Sequence, residues 1–522
     1  MFLIMSAAYV GQELASEFGK IPPSFLPLGN KRLFQHQIKL APSCADVFLS
    51  IPSSFSVSAT DMAWLKSNNV TLLSTPDDLS IGASVVAALN LSGCVLDKSL
   101  SILYGDTLYS EIPLDDDVLS VSENQDNYNW GVFKANSLKI NEEQESIIDG
   151  YFKVSNPREL IKGIVNSKWD FLEGLNYYHE VIGLKPRLSK GWLDFGHVNT
   201  YFRSKAKFTT QRAFNELVIT PSFIEKSSSN NKKIAAESNW FKNIPQQLRG
   251  YIPQYLGENQ SDNRISYQLE YLYLSAVNEL FVFSKLPLSV WRQILSSCLE
   301  FLSLCRMHKN KGSITSERND LNNLFYNKTK QRLNDFCIHN KITLEQEWQY
   351  NNSHKVSLSS VLADCNIYLP SDAIEETVLH GDFCFSNILY DFRSGRIKVI
   401  DPRGMTPSGE NTIYGDIRYD IAKLSHSIIG LYDLIISGNY VVNIEKENIS
   451  FEIMDEDIHS EIQIIFFDLV KKQFGLSAEN IYAMQIHLFL SMLPLHFDDK
   501  IRQKALFSNV FRLHQKLVRS DE

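Results

Sequence analysis

The chain has 522 residues, 44% hydrophobic and 21% charged, values of an ordinary folded protein that exclude wholesale disorder and allow large cores without disulfide or metal staples. Its 51 basic and 60 acidic residues give a net charge of −9, which excludes a nucleic-acid binder acting through charge alone, because phosphate neutralisation needs a basic face. At roughly 150 residues per domain, the length predicts about three and a half domain-sized units. Seven cysteines (Cys44, Cys94, Cys298, Cys305, Cys337, Cys365, Cys384) are scattered without a C-x-x-C, as in a reducing compartment. Cys305 with His308, and Cys337 with His339, fit no compact zinc module. No apolar run approaches the roughly 18 residues of a membrane span. The opening Met1–Met5 run lacks a basic flank, which predicts a buried first strand instead of a signal peptide, and a cytoplasmic protein.

In chain order, Phe2–Ser6, Val47–Ile51, Val70–Leu73 and Ser101–Tyr104 read as strands, with helices over Lys31–Leu40, Thr60–Asn68 and Ile81–Asn90 between them. Such alternation implies parallel pairing in an α/β sheet. The acids Asp115, Asp116 and Asp117 and the polar run Ser120–Tyr128 read as loop, and Trp130–Phe133 as a return to strand. Leu217–Ile224 is strand-like, the polar run Lys226–Lys233 is a break, and a helical pattern surrounds Ala235–Phe241. Helical periodicity covers Ser289–Leu304, Asp320–Asn340, Ile458–Phe474 and Ala483–Leu493. The chain thus reads as an α/β half, a small strand-bearing piece and a largely helical remainder.

The strongest chemical signal lies in residues 376–404. An apolar strand leads into His380-Gly381-Asp382, Asn387 follows five residues after the aspartate, Ser394-Gly395 makes a turn, and a second strand ends at Asp401. Phosphoryl transfer uses these parts: one carboxylate to accept or orient the proton of an attacking hydroxyl, and an amide with another carboxylate to hold magnesium on a triphosphate. The segment resembles the H-G-D-x-x-x-x-N … I-D core of the aminoglycoside phosphotransferase and choline kinase group. The resemblance implies Asp382 as catalytic base, Asn387 and Asp401 as metal ligands, and His380 as a nucleotide-binding residue that braces the loop and does not react. Upstream, Lys226 and Glu237, eleven residues apart, resemble the ion pair that holds ATP phosphates in that group, and Gln268–Leu274 resembles the strand and hinge that receive adenine. Downstream, Gly415-Asp416 through Asp420 resembles an element whose second aspartate supports the catalytic loop. The phosphate loop of this kinase type, expected near Pro221–Phe223, contains no glycine, and no G-x-x-x-x-G-K-[ST] loop occurs.

The N-terminal order is strand, loop (Ala7–Gly11), Pro22–Gly29 hairpin and helix. It resembles the sugar-phosphate nucleotidyltransferases, in which that loop wraps a triphosphate. The resemblance implies that Gly11 and, at the opening of a later helix, Ser84 contact the nucleotide. It also implies that Asp106 and Asp194, each following a strand, hold magnesium for attack on the α-phosphate. The positions that carry a glycine, an arginine and a lysine in that family are here Tyr9, Glu13 and Ser24, with Lys20, Lys31 or Lys185 as substitutes.

The expected fold class is therefore α/β: a Rossmann-type nucleotidyltransferase-like domain over residues 1–210, then a protein-kinase-like α+β domain with lobes over 211–285 and 286–522. The expected ligands are Mg²⁺, ATP, a second nucleoside triphosphate and a small hydroxyl-bearing acceptor. Neither nucleic acid nor a membrane span is expected, and self-association stays open. Both centres active, only the kinase active, and a non-catalytic nucleotide-binding scaffold remain the three readings.

Overall fold

Short apolar runs near the N-terminus pair in parallel because a helix after each one returns the chain to the same end of the sheet. The computed structural model describes residues 1–123, 146–212, 217–261, 264–310, 323–370, 376–406 and 408–519; the strand expected at Trp130–Phe133 lies outside them. The chain divides into two compact units, Met1–Thr209 with Phe283–Lys285, and Thr210–Val282 with Leu286–Glu522.

In the first unit the strands are β1 (Phe2–Met5), β2 (Val47–Pro52), β3 (Val70–Thr75), β4 (Leu100–Tyr104), β5 (Thr107–Leu108), β6 (Val118–Glu123), β7 (Ser146–Val154), β8 (Lys185–Leu188) and β9 (Leu193–Asp194). The helices are α1 (Gln12–Phe18), α2 (Leu33–Gln37), α3 (Ala59–Ser67), α4 (Ile81–Ser92), α5 (Pro157–Asn166), α6 (Phe171–Val181) and α7 (Val198–Arg212). Among the described residues one sheet has the order β3-β2-β1-β4-β7-β6-β8. Its first four strands are parallel, while β7 runs antiparallel to both β4 and β6. The order reverses at β1, so a crevice opens beyond the carboxyl ends of β1 and β4, where open α/β sheets bind ligands. Phe152, Phe171, Val85, Ile102 and Leu175 are in its core.

Of the polar run Ser120–Tyr128, residues 124–128 lie outside the described residues and the rest is strand. Val118–Glu123 forms β6, whose buried Ser120 and Ser122 hydroxyls donate to the Asp149 carboxylate of β7 at 3.3 and 2.7 Å. That hydrogen-bonded polar layer hides the strand from hydropathy.

The second unit opens with β10 (Leu217–Ile219) and β11 (Phe223–Ser227), where the sequence suggests one continuous strand. Thr220 turns the chain between them: its hydroxyl accepts from the Phe223 N–H at 3.0 Å. After α8 (Asn231–Asn243) come β12 (Tyr255–Ser261) and β13 (Arg264–Glu270), giving an antiparallel sheet of order β10-β11-β13-β12. The chain continues through β14 (Ser275–Ala276), α9 (Val277–Phe283), α10 (Leu288–Met307), α11 (Lys328–Asn340), β15 (Glu347–Tyr350), β16 (Lys355–Ser357) and α12 (Leu358–Tyr368). Then follow β17 (Glu376–Val378), β18 (Ile388–Asp391), β19 (Arg396–Val399), β20 (Tyr414–Asp416), α13 (Ile417–Ile428), α14 (Tyr432–Ile436), β21 (Tyr440–Glu445), β22 (Asn448–Ile453), α15 (Ser460–Phe474), α16 (Ala478–Met492) and α17 (Lys500–Arg519). The remainder is less purely helical than its periodicity suggests, because β16-β15-β22-β21 form a sheet of their own. No helix among the described residues is long and apolar enough to cross a membrane.

Several histidines of this unit are buried and kept neutral. Burial lowers His380, His459 and His487 to about 4 and His426 to about 3. Burial also raises two carboxyls, Asp420 to about 7 and Asp433 to about 6. Between roughly pH 4 and 6.5 the unfolded chain binds the four histidine protons, while the folded chain retains the two carboxyl protons. The histidines prevail, so stability present above about pH 6.5 is lost as the pH falls towards 4. Neither ring nitrogen of His487 has a hydrogen-bond partner among the described residues. His487→Leu should therefore make this acid limb shallower by about 1.4 kcal/mol per pH unit. Urea midpoints measured from pH 4 to 7 check this, and an unchanged slope refutes a neutral buried His487.

Candidate functional site

The sequence-predicted groups of the second unit meet in one polar system. On β11, the Lys226 Nζ lies 2.9 Å from Oε2 of Glu237 on α8 and 2.8 Å from Oδ1 of Asp401. Glu237 is 1% exposed, the Lys226 side chain 19% and Asp401 43%, so the chain of charges runs from the interior to an open edge. Burial alone would lower the Lys226 ammonium, but Asp401 and Glu237 outweigh it and hold the group above its ordinary value. The Tyr267 hydroxyl of β13 donates to the same Glu237 oxygen at 2.8 Å. The buried carboxylate is thereby aimed at the lysine, as a buried charge requires.

The loop from Leu379 to Asn387 is held from below. Both oxygens of Asp420, on α13, accept backbone N–H groups, from His380 at 2.7 Å and Gly381 at 2.8 Å. His380 is fully buried, with Nε2 2.9 Å from the Ile400 carbonyl and Nδ1 accepting from the Asp382 N–H at 3.3 Å. Both ring nitrogens are thus spent on backbone. The nucleotide contact expected of His380 is geometrically closed, and it braces the loop. Trp240 of α8 adds a clamp, donating from Nε1 to the Leu379 carbonyl at 2.7 Å.

Asp382 emerges from this frame half-exposed. Its Oδ1 is 2.8 Å from the Lys423 Nζ, and its Oδ2 accepts from Asn387 Nδ2 at 3.1 Å. Burial works against its ionisation, but Lys423 and Arg403 hold the carboxyl well below the usual range. The Asn387 nitrogen is committed, because it also donates to the Asp382 carbonyl at 2.9 Å. Its amide oxygen has no partner among the described residues. That oxygen and the Asp401 carboxylate are hard donors of the kind Mg²⁺ takes. Among the described residues no three His, Cys, Asp or Glu converge as a metal cluster. Two protein ligands suit Mg²⁺, which keeps waters and binds substrate phosphates.

Three contributors escaped the sequence reading: Tyr267, Lys423 and Arg403. Lys423 had a signal, since it is three residues after Asp420 on one helix and therefore shares the face that meets the loop. Arg403 had only its place two residues after Asp401. The hinge expected at Gln268–Leu274 begins inside β13, and its Tyr271 N–H bonds to the Ser222 carbonyl at 3.1 Å.

In the first unit Asp106 and Asp194 come together. Antiparallel pairing sets Thr107 opposite Asp194, and a Cβ added at Gly196 would lie 2.7 Å from Asp106 Oδ2 and 3.3 Å from Asp194 Oδ1. The two carboxylates converge over a residue that has no room for a side chain. Burial pushes the Asp106 carboxyl up, and His197 only partly offsets it. Two close carboxylates relieve their repulsion by binding a divalent cation.

The other expected residues of this unit fare differently. A Cβ at Gly11 would meet nothing within 4 Å, so its backbone does not demand glycine. Ser84 is buried in α4, away from open solvent. Ser24 is fully buried and tied down, its N–H on the Ser6 hydroxyl at 3.0 Å and its hydroxyl on the Gly105 carbonyl at 3.1 Å. The Lys20 ammonium lies 4.2 Å from the centre of the Tyr9 ring. Lys185 starts β8, with its N–H on the Asp117 carbonyl at 2.8 Å.

No protein-family model and no curated protein sequence matches the chain. Solved structures do. One similar structure is a nucleoside-diphosphate-sugar pyrophosphorylase from Vibrio cholerae RC9, 13% identical, covering 39% of this chain and 99% of that one, with a TM-score of 0.33. Another is a thermostable mutant of an aminoglycoside phosphotransferase in ternary complex with ADP and hygromycin B, 12% identical over 60% of this chain and 98% of that one, TM-score 0.34. A glucosamine kinase is 13% identical over 57% of this chain and 71% of its own, TM-score 0.34.

Gly404 tests the second unit's geometry. It has φ 66°, and an added Cβ would collide with the Ala236 carbonyl of α8. Gly404→Ala should push α8 from Asp401, cost about 2 kcal/mol or more and weaken ATP binding. Gly409, at φ 89° with nothing near its Cβ, is the control. Melting temperature and calorimetric ATP titration of both variants check it, and equal behaviour contradicts the collision.

Proposed function

We propose that the second unit is an ATP- and Mg²⁺-dependent phosphotransferase for the hydroxyl of a small sugar or alcohol. One observation carries this: Lys226, Glu237 and Asp401 form a continuous ion-paired chain, in the same unit as an Asp382 that is hydrogen-bonded to Asn387. In this reading the Asp382 carboxylate accepts the acceptor's hydroxyl proton. A bond forms between that oxygen and the γ-phosphorus, and the bond to ADP breaks. Lys226, aimed by Glu237, contacts the ATP phosphates, and Asn387 and Asp401 hold the metal. Bound Mg²⁺ supplies neutralisation of the charge on the phosphates. Because Lys423 keeps Asp382 ionised, the carboxylate is ready at neutral pH without a titration step.

For the first unit we infer nucleotidyl transfer, with Asp106 and Asp194 as the metal pair and a nucleoside triphosphate and a sugar phosphate as substrates. The support is the convergence of the two carboxylates over Gly196 at the edge of the β1/β4 crevice. The two activities would then act in series: a phosphorylated hydroxyl becomes the nucleophile that makes a nucleotide-activated donor, of the kind used in surface polysaccharide synthesis. Each step is phosphate chemistry in solution, consistent with a cytoplasmic location.

A second reading, a kinase whose first unit only binds sugar phosphate, is favoured by one feature. The loop that would wrap a triphosphate carries Tyr9 and Glu13, its expected lysine is the buried Ser24, and Lys20 is stacked on Tyr9.

Asp382→Asn should lower ATP-dependent phosphorylation by about 10²–10⁴-fold with the melting temperature retained; full activity overturns the assignment. Asp106→Ala and Asp194→Ala should each abolish pyrophosphate release from a nucleoside triphosphate plus sugar phosphate. If the unaltered chain releases none with any of the common nucleotides, the second reading stands.

A further inference from the structure

The acceptor side of Asp382 has a charge that the phosphotransfer reading does not require. Arg403 donates from Nη2 to the Tyr419 hydroxyl at 2.8 Å, and its guanidinium lies 4.8 Å from the centre of that ring. The other guanidinium N–H groups of Arg403 have no partner among the described residues. Tyr419 and Lys423 stand four residues apart on α13 and so share one face, the face that meets Asp382 through Lys423. Phe325 also packs near Tyr419, at 5.7 Å between rings. Three residues later Lys328 opens α11, and no hydrogen bond or ion pair reaches its ammonium among the described residues.

The electrostatics agree with this placement. Burial lowers the Lys328 ammonium; Tyr419 opposes this in part, and the nearby Arg403, Arg332 and Lys423 lower it further. Burial alone would raise the Tyr419 hydroxyl, yet Arg403, Lys423 and Lys328 bring it down to about 8. The carboxylates do not cancel this excess. Asp382 is taken by Lys423, and Asp420 spends both oxygens on backbone N–H groups. Arg403 shares the Asp382 carboxylate with Lys423, and Lys328 beside them has no ion pair among the described residues, so the cluster carries more cations than its one ionised carboxylate balances. Arginine with spare forked donors is suited to bind carboxylate or phosphate.

We propose that Arg403 and Lys328 form an anion subsite, and that the acceptor phosphorylated at Asp382 is a hydroxy compound carrying a carboxylate or phosphate group. The proposal rests on the phosphotransferase reading of this unit. A cationic amino alcohol or amino sugar would meet like charge there, whereas an anion would bridge the two cations and hold its hydroxyl towards Asp382.

Two measurements on the full chain test it. In the first, ADP release from ATP–Mg²⁺ is compared for glycerol, glycerate, glycerol 3-phosphate and choline. Turnover of glycerate or glycerol 3-phosphate ahead of glycerol and choline is expected, and the better of the two tells carboxylate from phosphate. Lys328→Gln should raise the KM of the preferred anion about tenfold while kcat changes little, and Lys328→Glu should shift preference towards choline. In the second, calorimetry measures sulfate binding to the chain saturated with AMP-PNP–Mg²⁺, which fills all three of the nucleotide's phosphate positions; this decides the matter if none of the four compounds reacts. Binding that weakens about tenfold in Lys328→Gln supports the subsite. No sulfate binding, equal binding in both proteins, or a preference for choline or glycerol overturns it. Failure to bind AMP-PNP at all overturns the phosphotransferase reading itself, and AMP-PNP binding without anion preference overturns only the subsite.

Discussion

The second unit is organised around the Asp420 carboxylate. It is fully buried and holds the His380 and Gly381 N–H groups at 2.7 and 2.8 Å. A buried carboxyl is costly unless its oxygens are satisfied, and backbone donors that cannot move satisfy them best. The same two bonds close the turn at Gly381, where φ is 81° and an added Cβ would lie 2.7 Å from Arg403. One interaction therefore sets the loop's conformation, brings Arg403 against it and points Asp382 outward. The neutral imidazole of His380 completes the brace from the other side, and its burial is what keeps it neutral.

Around that anchor, charge is arranged in pairs that leave a direction. Lys226 faces two carboxylates and is the shared cation of Glu237 and Asp401. On the other side Asp382 is the shared anion of Lys423 and its cationic neighbours. The Lys226 side is thus acidic and the Lys423 side basic. The overall charge of −9 conceals this division, because it averages over a surface of separate solvated acids and bases.

Much of this was legible in the sequence because it is local. The first parallel strands announce themselves as apolar runs between helices, and the His380–Asn387 spacing with Asp401 in register places both carboxylates and the amide at strand ends. What stayed hidden is non-local or disguised. β15 and β22 belong to two local hairpins, with β16 and β21, and the parallel pairing that joins them spans about a hundred residues, so no short-range pattern announces the sheet they make. β6 carries serines on a buried face because Asp149 of the next strand binds them. Tyr267 and Arg403 act only through folding, one by reaching Glu237 across the sheet and the other by packing on Tyr419. Gly11 and Ser84 show the converse: alignment of a motif marks a position, while contacts and burial depend on how this chain packs around it.

Asp401 has φ 57°, in the left-handed region where aspartate, asparagine and glycine are tolerated and most other side chains are strained. Asparagine and glycine are each one nucleotide change from an aspartate codon. The replacements that the backbone accepts most easily are therefore also the ones that remove the carboxylate. At this position the backbone gives the carboxylate no protection: it can be lost with the local conformation kept.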